Sequence, residues 1–180
     1  MFGLWRRDNG RAVVDALHHL IVEQSRAPGL YGQDRLPDTI EGRFESLTLH
    51  VLLVLRRLRG LPAPADEVAQ ELVDRVFAHF DVALRELGVG DSGVARRMKK
   101  LAGAFYDRMR RYDPLLDRRE SAALAAEIAA HLEIRPERVG PLARYALACA
   151  FTLSGCDLDT MLKQPRFAAP AALATEEVAP

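Results

Sequence analysis

Five histidines, His18, His19, His50, His79 and His131, are the side chains in this sequence most able to bind a metal or move a proton. All fall on segments with helical periodicity, and none forms an H-x3-H or H-E-x-x-H pair. His50 and His79 could ligate haem or a metal from facing helices, yet each has the simpler reading of a hydrogen-bonded helix histidine. The carboxylates divide similarly: Asp38, Asp66 and Asp157 read as helix caps, and Glu67, Glu71, Asp74 and Glu86 as a solvated helix face. No P-loop, dinucleotide-binding glycine pattern or G-x-S-x-G elbow is present. The expectation is no catalytic residue, no cofactor, no metal and no small-molecule substrate.

Charge offers a second kind of chemistry. Arg96, Arg97, Lys99, Lys100, Arg108, Arg110 and Arg111 share a short stretch in which Asp107 is the only acid. On a helix they lie opposite Met98, Leu101, Phe105, Met109 and Tyr112. Such a face attracts phosphate, acidic lipid or an acidic protein surface. The preceding segment carries Asp66, Glu67, Glu71, Asp74, Asp81, Glu86 and Asp91 against Arg75 and Arg85, so neighbouring helices could neutralise each other. A positive face spanning half a helix exceeds what one neighbour can cover. The whole chain has 25 basic and 25 acidic residues, which argues against a surface built throughout for nucleic acid, and no DNA partner is expected.

These residues require helices to position them. The central one is expected over 38–60, where Ile40, Phe44, Leu47, Val51, Val54 and Leu58 recur at helical spacing. Leu49, Leu52, Leu53 and Leu55 widen the stripe until little polar surface remains, as in a buried or partner-binding helix. Asp38 reads as its N-cap, and Arg56, Arg57 and Arg59 suit the negative end of its dipole. The apolar run 49–55 is far shorter than the roughly 20 residues of a membrane span. Other helices are expected over about 11–24, 66–87, 92–112, 117–132 and 136–154, with a last turn capped by Asp157. Asp113 and Pro114 are expected to end the fourth. The fold class is therefore all-α: a single domain of about six or seven helices around a central hydrophobic helix. Residues 1–10 are expected to be a flexible N-terminal segment, 11–163 the helical domain and 164–180 a disordered tail. Cys149 and Cys156 match no common zinc or redox spacing and read as reduced core residues.

An ordered series of residues then becomes recognisable. Leu49 and His50 lie within the long apolar helix that ends in Arg57, Leu58 and Arg59. Phe77, Phe80 and Asp81 follow, then Leu84, Arg85, Glu86, Leu87, Gly88, Val89 and Asp91. The Met98 and Lys99 helix, with Phe105, Tyr106, Arg108 and Tyr112, completes the set. Over 32–151 this resembles the ubiquinol-cytochrome c chaperone family. The resemblance implies a non-enzymatic chaperone that binds newly made cytochrome b and assists assembly of the bc1 complex. In some organisms members of that family associate with the ribosome together with a small helical partner, so the resemblance implies both as candidate partners. This chain shows neither the transit peptide nor the long N-terminal extension of the mitochondrial members, which fits a cytoplasmic protein peripheral to the inner-membrane face. An apolar client would need an acceptor surface, for which Leu49, His50, Leu53 and Arg57 are the expected residues. The basic face would take ribosomal RNA or an anionic membrane surface. Two alternatives remain: an adaptor acting through 96–111, and a small helical haem-handling protein or enzyme using His50 and His79.

Overall fold

The structure is a computed structural model that describes residues 3–32 and 35–169. Its elements are α1 (Gly3–Ser25), α2 (Ile40–Arg59), α3 (Ala65–Glu86), α4 (Asp91–Asp117), α5 (Ser121–Leu132), α6 (Pro136–Ser154) and α7 (Leu158–Lys163). A short 3-10 turn, Pro28–Leu30, lies in the first loop. The chain is thus all-α, with no β-strand among the described residues. No described helix is long and apolar enough to cross a membrane.

α2 is the centre of the fold, contacting each of the other six helices. Leu49, Val51, Leu52, Leu53, Val54 and Leu55 are all buried, as a helix without a polar face requires. Its first turn is fixed by Thr39, whose side chain accepts from Gly42 N. Thr39, not Asp38, is therefore the N-cap; Asp38 is turned outward to Arg43 at 2.7 Å. Gly42 is required here, because a β-carbon would collide with the Pro37 carbonyl oxygen. That close approach brings the preceding loop, with buried Leu30 and Leu36, onto the core.

Around α2 the alanine-rich α5 makes its most extensive contact with α6, where Ala125, Ala129, Ala143 and Ala146 are buried. Small side chains let two helix backbones approach closely, as the composition suggested.

Three boundaries differ from expectation. The segment 1–10 is helical from Gly3 onward as part of α1, while Met1 and Phe2 lie outside the described residues. α4 continues through Pro114 to Asp117. The lost backbone bond is outweighed by burial of Leu115 and Leu116 and by Arg56, which donates to the Asp113 carbonyl at 3.0 Å. Residues 164–169 pack instead of trailing away: Ala168 is buried, its N–H donates to Cys149 Sγ at 3.2 Å, and the Phe167 ring sits 5.5 Å from His50. So few apolar residues produce no period, yet they fill a slot on α6. Residues 170–180, the rest of the expected tail, lie outside the described residues.

Candidate partner-binding site

The central helix does not present its second half to a partner. Leu49 and His50 are 0% exposed and Leu53 is 1%. The expectation of an apolar acceptor surface at Leu49, His50, Leu53 and Arg57 is therefore corrected: six neighbouring helices cover it. Arg57 donates from Nε to the Cys156 carbonyl at 2.6 Å and so ties α2 to the turn before α7. Arg56 and Arg59 reach Asp113 and Asp117 on α4, so these arginines act as clamps between helices.

His50 sits in a buried hydrogen-bonded chain. Its Nδ1 lies 2.7 Å from the Ser46 carbonyl, an acceptor only, so Nδ1 carries the proton and Nε2 accepts. Tyr145 OH donates to that Nε2 at 3.0 Å and itself accepts from Gln24 Nε2 at 2.9 Å. Burial pushes the His50 pKa down to about 4, keeping the ring neutral. His79 belongs to a different cluster, stacked edge-on against His18 at 5.2 Å. The two histidines offered for haem ligation do not converge, and the haem-handling alternative loses its geometric basis.

A second buried network joins α2 to α4 and α5. Glu45, fully buried, accepts from Arg108 Nε at 2.6 Å through Oε2 and from Tyr112 OH at 2.6 Å through Oε1. The Arg108 guanidinium also lies 5.0 Å from the centre of the Phe44 ring. Arg108 is thus no part of an exposed basic face, and its assignment there is corrected. The signal was legible: Arg108 stands seven residues after Leu101 and four before Tyr112, inside the apolar arc.

The other cations are exposed, but they form two groups. Arg110 and Arg111 both reach Asp107, at 2.6 and 2.9 Å, and Arg111 also reaches Glu127 at 3.3 Å. The hydrogen bond from Arg110, with His131 and Arg111 beside it, lowers the Asp107 pKa to about 2. Arg96, Arg97, Lys99 and Lys100 have no ion pair among the described residues. Among the described residues only Arg85 with Asp91, at 2.6 Å, joins α3 to α4 by charge, so the acidic helix leaves those four cations unneutralised.

The surface that does offer apolar area is a groove of about 410 Å³ where the end of α1, the start of α2 and the end of α3 meet, with Leu101 of α4 on its wall. Phe44, Leu84 and Leu101 line it above the buried Phe80, and Ile40 and Leu87 stand at its mouth, 65% and 60% exposed. Arg26, Arg43, His79 and Glu86 form its polar rim. Sequence reading placed Ile40, Phe44 and Leu87 on core-facing stripes; at the two helix ends those stripes run past the neighbours that would cover them. A larger hollow of about 950 Å³ between α1 and 164–167 is bordered by Glu23, Gln24 and Arg26 and offers less to an apolar segment.

A family model described as ubiquinol-cytochrome C chaperone matches residues 33–167. The crystal structure of the Cbp3 homolog from Brucella abortus is similar over 93% of this chain and 96% of that one, with 35% identity and a TM-score of 0.79. No curated protein matches the chain.

Proposed function

The chain belongs to the ubiquinol-cytochrome c chaperone family, and from that premise we propose that it holds newly made cytochrome b during assembly of the bc1 complex. Family membership makes it an assembly chaperone, which implies a binding protein and not a catalyst. The observation that carries the client reading is the groove at the meeting of α1, α2 and α3, with Ile40 and Leu87 exposed at its mouth. Exposed apolar residues beside a preformed apolar groove are what an amphipathic or apolar helix binds, and cytochrome b supplies such helices. Polar side chains at the rim suit the flanks of a segment whose central residues enter the groove.

Deleting the gene in its host and recording a difference spectrum of the membranes tests the reading. Loss of b-type cytochrome and bc1 activity is expected, restored by the wild-type chain and not by a chain carrying Ile40→Asp and Leu87→Asp. Normal cytochrome b without the protein would overturn the proposal. Full rescue by the double variant would move the client away from the groove.

A further inference from the structure

We propose that the first half of α4 docks on an anionic lipid surface through Arg96, Arg97, Lys99 and Lys100, with Leu87 as the apolar residue that enters it. The inference goes beyond the client-binding reading and stands without it. All four cations are exposed and free of carboxylate partners among the described residues, whereas Arg108, Arg110 and Arg111 further along the same helix are engaged within the fold. Sequence presents one basic strip of seven; the structure reduces it to four cations packed into little more than one turn of α4.

The acids nearby do not cancel this patch. Asp91, in the first turn of α4, is held by Arg85, which also holds Asp81. Glu86 is the one carboxylate on the groove rim. Arg97 stands one turn before Leu101 on the same flank of α4, and Leu101 and Leu87 line the same groove. The charged patch and the groove are therefore continuous.

Lipid fits better than nucleic acid for one reason. Leu87 is 60% exposed at the turn between α3 and α4, on the groove that Leu101, one turn after Arg97, also lines. An apolar side chain flanked by lysine and arginine is the pattern of interfacial insertion, where charge binds the headgroups and the leucine enters the acyl boundary. A phosphate backbone would use the cations and gain nothing from that leucine. Exposed Tyr106, which could stack on a base, packs its ring 6.0 Å from Phe77. Docked in this way, the mouth of the groove lies against the membrane.

Flotation of the full chain tests this, using vesicles of phosphatidylcholine alone and of phosphatidylcholine with about 30% phosphatidylglycerol. The chain is expected to float with the anionic vesicles only, less so as salt rises. Combining Arg96→Glu, Arg97→Glu, Lys99→Glu and Lys100→Glu should weaken partitioning roughly 1000-fold, and Leu87→Asp alone roughly fivefold. The same charge change made elsewhere, with Arg118→Glu, Arg119→Glu, Arg135→Glu and Lys163→Glu, should leave it unaltered. The milder pair Arg96→Gln and Lys100→Gln serves if the fourfold reversal alters the helical circular dichroism. No flotation with anionic vesicles at low salt would overturn the proposal, as would equal loss from the distant substitutions. Retained flotation of the α4 variant would do the same. Binding of ribosomes through these cations, with vesicles unbound, would reassign the patch to nucleic acid. Loss of client rescue by Ile40→Asp with flotation intact would leave this proposal standing, so the two readings can fail separately.

Discussion

Arg108 Nε lies 2.6 Å from Glu45 Oε2 with both side chains out of water, so a single buried ion pair links the central helix to α4. Tyr112 OH occupies the other carboxylate oxygen, and burial, with the Glu45 charge beside it, keeps its phenol protonated well above the usual range.

Removing one member of this pair leaves a buried charge without a partner. Arg108→Ala is expected to destabilise the fold by about 3–5 kcal/mol, read as a lowered denaturant midpoint. Combining Glu45→Met with Arg108→Met should cost less than the two single changes together, because no uncompensated charge remains. Additive costs would show that the pair is not coupled.

Acid should weaken the fold through two histidines. Burial holds both His50 and His18 at about 4, the latter helped by neighbouring His79, while an unfolded histidine titrates near 6.5. Between those values the unfolded chain binds protons that the folded chain refuses. Their contribution is complete above about pH 6.5 and declines as pH falls towards about 4, by up to roughly 1.4 kcal/mol per pH unit for each site. His50→Gln should flatten the wild-type slope by about one proton. Parallel stability curves for the two proteins would contradict this assignment.

Core and groove should separate cleanly by substitution. Leu53→Ala empties a site in α2 that is 1% exposed and should cost about 2–5 kcal/mol without altering client capture by the folded fraction. Ile40→Asp and Leu87→Asp, at exposed positions, should change stability by no more than about 0.5 kcal/mol each yet reduce crosslinking to nascent cytochrome b. The reverse pattern would return the acceptor surface to the 49–55 half of α2.

Cys149 should resist alkylation in the native protein. Its thiol is buried, Sγ accepts from Ala168 N, and burial pushes its pKa up to about 11. Thiolate is the reactive form, so modification at neutral pH should require unfolding. Packing of residues 164–169 contributes to this protection, and truncation after Lys163 should raise the alkylation rate before global unfolding. An unchanged rate would show that the segment does not shield the thiol.

Much of the architecture was legible because helical periodicity is a local property. Composition and apolar spacing located six of the seven helices among the described residues, the Asp157 cap placed the last turn, and the scarcity of polar surface on 49–55 marked α2 as central before a neighbour was known. The ordered residues from Leu49 to Tyr112 carried the family. Asp157 was readable as a cap, and its carboxylate does accept from Thr160 N at 2.9 Å.

Tertiary packing decided which faces remain open, because exposure depends on what the other helices cover. The same apolar character that made 49–55 resemble an acceptor surface drew six helices around it, and the binding surface passed to Ile40 and Leu87, where the stripes outrun their neighbours. Charge followed the same logic among the seven cations of α4: Asp107 meets Arg110 and Arg111 at helical spacing within α4, but Glu45 and Glu127 lie on other helices, and only the fold could bring them to Arg108 and Arg111. The four left over are an outcome of three-dimensional proximity, which no periodicity along a single helix contains.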